Sequence, residues 1–485
     1  MTPKQKTPLL SLVMLSALLL GVVARVVSLQ GELWLDEAWS LLLVQAAHSP
    51  FDLLTQVKHD NNHLSNSIWM WMLGSMVGDV WFRIPSLVFS VTTLLVLGRI
   101  VQRERLGWTG CVWFVSVALS YPIILLGGEA RGYSLGLLCV TLAFSSVLRL
   151  GRDEDTPADR FIFTSAATVG LFTHAIFILY VAPVALWLLA YRGVRRTLPL
   201  LAVPGLAMAL LVSTFYNGMV LGGAPDAPFL QVILSACSVA FGGEELSAFD
   251  PQGAAVAACI AVAIMAIALG ESLKWLREDR KQALLFISVV LAPYAALLVI
   301  NADFLLPRYF IISTLFLYGI VARWLVRLGR QGVVGATIAT ALVVAISVGG
   351  LRHTWELYAF ERSHFMGVLR EVVAVDRAEQ VLVSVGREEG ERNRALTRRD
   401  VMKLRGDDLS RLEILEVDST GRAPNWIIEE RLERRPELPA QEISFEGAQY
   451  YLERYYPAPL LSGAALAVYQ RVGIEPRLNK RPPTP

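Results

Sequence analysis

The chain has 485 residues, of which 54% are hydrophobic, and a formal net charge of +2. Residues 351–485 hold 21 basic and 22 acidic residues, half of all the formal charges, so the first 350 residues are poor in charge. A small and dispersed positive charge does not make a nucleic-acid-binding surface. All four cysteines lie in apolar segments, which argues against a disulfide framework or a cysteine-based metal site.

Eleven apolar segments divide the first 350 residues. Most have roughly the 17–22 residues that a helix needs to cross about 30 Å of hydrocarbon. We place the spans near residues 9–29, 80–98, 108–126, 133–149, 161–173, 175–190, 198–215, 252–270, 282–300, 309–322 and 332–350. The fifth and sixth form one apolar stretch broken at Thr173 and His174, long for one crossing and short for two. The first span is expected to be retained rather than cleaved as a signal peptide.

Basic residues predict the orientation of these spans. One set of helix ends carries 18 Lys and Arg residues, the other carries 3, and the long 216–251 loop carries none. The basic ends are therefore cytoplasmic. With an odd number of spans, residues 351–485 lie outside the cell membrane.

Residues 351–485 are expected to form a separate, small α/β domain. Apolar or β-branched runs predict strands at Gln380–Val385, Leu412–Val417, Asn425–Ile428 and Ala464–Val472. The charged segment 387–411 indicates a solvated helix or loop, and the proline-rich end of the chain indicates disorder.

Unusual polar residues gather in the loops on the external side. They are Asp36 and Glu37 after the first span, the run Asp60–His63, Glu129, Arg131 and Tyr133 between the third and fourth spans, His174, and Arg308 with Tyr309 before the tenth span. Each has an ordinary interpretation: acids mark solvated loops, arginines extend to the interface, and histidines are hydrogen-bonded. An ionisable group such as His174 in an apolar run is costly, which favours a functional role.

Together these residues suggest the transfer of a sugar from a lipid phosphate. A carboxylate takes a proton from an acceptor hydroxyl or amine as a general base. A guanidinium stabilises the departing phosphate with paired hydrogen bonds. A divalent metal ion held by His63, His174 and a carboxylate is a further candidate for that task.

The order of these motifs resembles the C-type integral-membrane glycosyltransferases, in particular the polyprenyl-phosphate-sugar-dependent group with the protein mannosyltransferases and aminoarabinose transferases. The resemblance covers about residues 5–350. It rests on Asp36-Glu37, on Asp60–His63, on Glu129-Ala130-Arg131 with Tyr133, on Thr173-His174 and on Pro307-Arg308-Tyr309. Leu64 and Ser65 stand where the family often has prolines, which weakens the match at His63.

The resemblance implies a fold and a set of roles. Asp36 would be the base, with Glu37 as a support or metal partner and Glu129 as the next candidate. Arg131, Tyr133, Arg308 and Tyr309 would bind the lipid phosphate of the donor. Two interfacial helices are expected at 38–56 and 64–78. The reaction would be inverting, with a lipid, glycan or protein acceptor outside a bacterial inner membrane.

The competing hypothesis is a transporter or flippase for lipid-linked saccharides. Transporters carry ionisable groups near the middle of the bilayer. The segments from 108 to 350 have almost none in their interiors, so the transferase is favoured.

Overall fold

The computed structural model describes residues 3–220, 228–247, 250–300, 306–385, 389–415, 423–431, 438–461 and 463–474. The helices within these ranges are α1 (Pro3–Val27), α2 (Leu35–Gln45), α3 (Pro50–Thr55), α4 (Leu64–Leu73), α5 (Asp79–Arg103), α6 (Gly107–Ala118), α7 (Tyr121–Gly127), α8 (Tyr133–Leu150), α9 (Pro157–Thr173), α10 (Ile178–Arg192), α11 (Val194–Leu211), α12 (Phe229–Ala240), α13 (Pro251–Glu278), α14 (Arg280–Ile300), α15 (Ile311–Gly329), α16 (Val333–Phe360), α17 (Phe365–Val375) and α18 (Glu389–Leu404). Short 3₁₀ turns, Ala175–Phe177 and Pro307–Phe310, lead into α10 and α15.

Each of the eleven predicted spans is helical. Within the described ranges, 8 helical stretches are long and apolar enough to cross a membrane, and the pair α6 and α7, bent by 54°, makes a ninth. The two other predicted spans correspond to α9, which has 17 residues, and α14. Large apolar side chains face outward, for example Leu206 (73% exposed) and Val333 (84%). Because this surface suits lipid and a helix satisfies its own backbone, the prediction of a polytopic helical membrane protein is confirmed.

The bend between α6 and α7 is stabilised by a buried arginine of α1. Arg25 donates from Nη1 to the carbonyls of Ala118 (2.8 Å) and Gly21 (2.9 Å), and from Nε to the hydroxyl of Ser90 (2.8 Å). A helix that ends at Ala118 leaves carbonyls without an intrahelical partner, and Arg25 satisfies one of them. The bend directs α7 toward the loop that carries Glu129 and Arg131.

The first loop, between α1 and α5, contains three short helices. The predicted interfacial helix 64–78 corresponds to α4, whereas the predicted 38–56 helix is divided into α2 and α3. Phe51 (68% exposed), Met72 (65%) and Met76 (77%) leave apolar surface uncovered on this loop. That distribution suits helices that lie in the membrane interface.

The 216–251 segment is not a plain loop, because it contains α12, which packs against α13 and the turn before α15. Its 12 residues are too few to cross a bilayer, so the length of its apolar run does not predict a span. Residues 221–227 and 248–249 lie outside the described ranges.

The C-terminal part is an α/β unit, as predicted. Its strands are β1 (Val381–Ser384), β2 (Leu412–Ile414), β3 (Trp426–Arg431), β4 (Glu442–Phe445), β5 (Ala448–Tyr456) and β6 (Ala465–Arg471), in sheet order β2-β1-β3-β6-β5-β4. Strand β1 pairs in parallel with β2 and β3, and the remaining pairs are antiparallel. Helix α16 continues ten residues past the predicted boundary at 350. The predicted disordered tail lies outside the described residues.

Most of the charged segment 387–411 lies in α18, which packs against α2 of the first loop. Its buried face consists of Ala395, Arg398, Val401 and Met402, a spacing that gives an amphipathic helix. One face of this segment is therefore an internal contact rather than a solvated surface. It links the C-terminal unit to the helix that carries Asp36.

Candidate active site

Asp36 stands in the first turn of α2, where two arginines meet its carboxylate. Oδ2 lies 2.8 Å from Nη1 of Arg131 and 2.9 Å from Nη1 of Arg308. The Asp36 side chain is 15% exposed, so it is shielded but reachable. One carboxylate facing two guanidinium groups leaves a net positive charge at this point.

Glu37 points into the protein instead. Its side chain is 0% exposed and forms a two-armed ion pair with Arg83 of α5, at 2.9 Å (Nε to Oε1) and 2.5 Å (Nη2 to Oε2). The backbone N–H of Ala130 also donates to Oε1 (2.7 Å), and that of Trp34 to Oε2 (3.2 Å). Burial raises the pKa of Glu37, but the charge and hydrogen bonds of Arg83 outweigh burial and hold it below its usual value.

Arg131 connects the loop between α7 and α8 to the first loop. Besides Asp36, it donates from Nε to Nε2 of His63 (2.9 Å) and from Nη2 to Oδ1 of Asn61 (2.9 Å). Asn61 in turn donates from Nδ2 to the backbone carbonyl of Asp36 (3.0 Å). These bonds fix the guanidinium of Arg131 and its angle to the carboxylate.

Two histidines and two tyrosines line one side of this cluster. The ring of His174 lies 4.6 Å from that of His63, 4.7 Å from that of Tyr133 and 6.5 Å from that of Tyr309, between centroids. Burial and the nearby charge of Arg131 hold the pKa of both histidines well below its usual value. Both are therefore neutral at physiological pH and add no charge to the site.

The histidines do not fit the expected metal site. Nε2 of His63 accepts a hydrogen bond from Arg131, and Nδ1 of His174 accepts one from the backbone N–H of Ile176 (3.2 Å). Over the described ranges, no three His, Cys, Asp or Glu side chains are grouped so that they could hold a metal ion. A guanidinium in contact with His63 would also repel a cation.

Arg308 lies in the 3₁₀ turn before α15, with its guanidinium 5.5 Å from the centre of the Trp34 ring. Its Nε is buried and has no hydrogen-bond partner among the described residues, and the same is true of the Tyr133 hydroxyl. Both groups are therefore able to donate a hydrogen bond to a ligand. An apolar recess lined by residues of α7, α12 and α15 opens beside Arg308.

Glu129 and Arg362 lie behind the cluster. Glu129 is 1% exposed; burial raises the pKa of its carboxyl, while Arg362, Arg131 and Arg308 oppose that rise. Arg362 follows α16, donates to the carbonyls of Ser28 (2.5 Å) and Leu125 (2.9 Å) and is 1% exposed. It thus joins the end of α1, α7 and the start of the C-terminal unit.

The structure brings the predicted residues of all five segments together, with Asp36, Arg131 and Arg308 in direct contact. Sequence reasoning missed the contributions of Arg83 and Arg362. Arginines are rare at the helix ends predicted to be external, and that scarcity could have indicated Arg83. Arg362 lies among the many charged residues of 351–485, so the sequence carries no such signal for it.

No protein-family model and no curated protein matches the chain. Among solved structures it is similar to ArnT from Cupriavidus metallidurans in the apo state, with a TM-score of 0.50 and 12% identity over 94% of this chain and 97% of that one. ArnT from the same organism bound to undecaprenyl phosphate gives a TM-score of 0.45 and 13% identity over 98% of this chain and 100% of that one. The Archaeoglobus fulgidus oligosaccharyltransferase tethered with an acceptor peptide gives 0.42 and 11%, over 79% of this chain and 63% of that one.

At these identities the likeness establishes the fold alone. The chain has the fold of ArnT along nearly its whole length. The predicted resemblance to C-type integral-membrane glycosyltransferases is therefore confirmed at the level of the fold.

Proposed function

We propose that this chain, which has the fold of the C-type glycosyltransferases, transfers a sugar from a polyprenyl-phosphate donor to a lipid, glycan or protein acceptor at the external face of the membrane. Asp36 is the general base. Arg308 and Arg131 bind the phosphate of the donor.

The observation that carries the proposal is the shared contact of Arg131 and Arg308 with one oxygen of Asp36. The positive charge left over attracts an anion, and guanidinium groups match the oxygens of a phosphate. The apolar side chains that line the recess beside Arg308 offer a surface for the hydrocarbon next to such a phosphate. A lipid phosphate meets both requirements at once.

Transfer then proceeds in one displacement. A phosphate that binds Arg308 releases Asp36 from one of its two ion pairs, and the carboxylate takes the proton from the acceptor hydroxyl or amine. The acceptor atom bonds to the anomeric carbon as the bond from that carbon to the phosphate oxygen breaks. The electron pair stays on the phosphate, and a single displacement inverts the anomeric centre.

The arginines act mainly on the leaving group. Negative charge grows on the phosphate as the bond breaks, and fixed guanidinium donors stabilise that charge without reorganising. Arg131 is already oriented by His63 and Asn61. The buried Nε of Arg308 and the Tyr133 hydroxyl donate further hydrogen bonds to the phosphate oxygens of the sugar donor. Tyr309 lies beside them.

The other two acids have supporting roles in this scheme. Glu37 is saturated by Arg83 and two backbone N–H groups, so it positions α2 and does not react. Glu129 is buried behind Arg131, and it is the base only if Asp36 is not. Since His63 and His174 do not fit a metal site, no step uses a metal ion.

The test is an assay of the purified full chain in lipid nanodiscs with a total lipid extract that contains polyprenyl-phosphate sugars and acceptors. Mass spectrometry should detect a glycosylated acceptor together with free polyprenyl phosphate. Intact donor after prolonged incubation with acceptor would contradict the proposal. Movement of intact donor from one leaflet of a proteoliposome membrane to the other would instead favour a flippase.

A further inference from the structure

The segment between β5 and β6 leaves the sheet of the C-terminal unit and reaches the membrane helices. We call residues 457–461 the insertion loop. Leu460 is 1% exposed and packs in one apolar cluster with Tyr121, Leu125, Val239 and Leu357. The hydroxyl of Tyr121 also donates to the carbonyl of Leu460. The insertion loop is therefore anchored between α7, α12 and α16.

The backbone beside this anchor is held in an unusual conformation. Leu461 has a φ of 61°, in the left-handed region that a branched side chain rarely adopts. Gly463 has a φ of 89°, and a Cβ there would lie 2.3 Å from the backbone oxygen of Arg362. Such strain persists only where surrounding contacts hold it, and it is common at ligand sites.

The strained Leu461 lines the apolar recess beside Arg308. Leu125 of α7, Ala236 of α12 and Ile311 of α15 form other parts of the wall. Arg308 lies at the same recess, and its Nε has no partner within the described part of the chain. The recess has room for about one water molecule, so a lipid would lie across its mouth. There an apolar wall meets a guanidinium, which suits an anion that continues into hydrocarbon.

The geometry points to Leu461 as a specificity-determining residue for the donor, contacting the first isoprenoid unit after the phosphate. This inference rests on the proposed function, since that function supplies the polyprenyl phosphate. It makes the C-terminal unit part of the donor site rather than an accessory to the membrane region.

The test measures binding of undecaprenyl phosphate to the purified full chain in detergent. Leu461→Gly removes the side chain and suits the positive φ, so thermal stability should not fall. Binding should weaken about tenfold, the scale of one lost buried apolar side chain. Leu461→Met, of similar volume, should recover most of the affinity. Leu438→Gly, at a site 75% exposed in the same unit, should leave binding unchanged.

Inorganic phosphate serves as the second probe. Its binding should be the same in the wild type and in Leu461→Gly, because the contact is with hydrocarbon. Unchanged undecaprenyl phosphate binding in a folded Leu461→Gly protein would overturn the inference, as would an equal loss for both probes. Because this readout needs no turnover, it separates failure of the inference from failure of sugar transfer.

Discussion

The buried ion pair of Arg83 and Glu37 is expected to hold the start of α2, and with it Asp36, in place. Arg83 also donates to four successive carbonyls at the exit of α1, those of Leu29, Gln30, Gly31 and Glu32. Both side chains of the pair are 0% exposed. Replacing Arg83 by Met would leave the carboxylate of Glu37 buried without its ion-pair partner, which costs about 3–5 kcal/mol.

A double-mutant cycle measures this effect. Thermal unfolding in detergent, followed by tryptophan fluorescence, should show a large loss of stability for Arg83→Met. The double variant with Glu37→Met should regain part of it, since neither charge of the pair is then left without the other. Glu37→Gln keeps the shape and should be milder. An Arg83→Met variant as stable as wild type, or strictly additive effects, would refute the assigned role of the pair.

The pH dependence of the pair follows from the lowered pKa of Glu37. A carboxyl whose pKa is lower in the folded state stabilises the fold above its unfolded pKa and loses that contribution as pH falls through the folded value. The contribution should therefore be complete at neutral pH. This contribution to stability should be lost only in acid, at pH values below the usual pKa of a glutamate side chain.

Three further predictions concern the donor, the contact between the two parts of the chain, and the topology. Arg308→Ala should raise the donor KM and raise the activation free energy of transfer by about 1.5–3 kcal/mol. Arg308→Lys should recover only part of the lost activity, and full activity of the alanine variant would remove Arg308 from the site. The carboxyl of Glu32 accepts from the backbone N–H of Met366 in α17 (3.0 Å). Burial raises its pKa from 4.5 to about 7, so stability should fall as pH rises from about 4.5 to about 7, and Glu32→Gln should flatten that profile; an unaltered profile would exclude Glu32 as its cause. A cysteine at Ser410, but not one at Gln102, should react with an impermeant thiol reagent in spheroplasts, and labelling at Gln102 alone would reverse the orientation.

The membrane fold could be predicted because long apolar runs have few alternatives in lipid. The hairpin of β4 and β5 was missed because its strands carry charged residues and face solvent on one side. Helix α12 was missed because 12 mostly apolar residues fit neither a span nor a loop pattern. In both cases the tertiary surroundings, which the sequence does not display, decide the structure.

The sequence motifs identified the residues of the site. Their roles, however, depend on where each side chain points, which sequence spacing gives only in part. Asp36 and Glu37 are adjacent on a helix, so their side chains point about 100° apart. One therefore meets the arginines of the site and the other meets Arg83. Arg83 lies 46 residues from Glu37 along the chain, and Arg362 lies 334 residues from its partner Ser28. Neither pairing could therefore be inferred from a local sequence pattern.

The central claim is that the carboxylate of Asp36 takes the acceptor proton, and Asp36→Asn tests it most directly. The amide keeps the shape and a hydrogen-bond acceptor for Arg131 and Arg308 but does not accept the proton. The variant should bind undecaprenyl phosphate at least as well as wild type, because a competing anion is removed, while transfer falls by about 10²–10⁴-fold. Asp52→Asn, which changes a first-loop aspartate that accepts from the backbone N–H groups of His48 and Ser49, should keep full activity. Transfer at the wild-type rate by a folded Asp36→Asn protein would contradict the account.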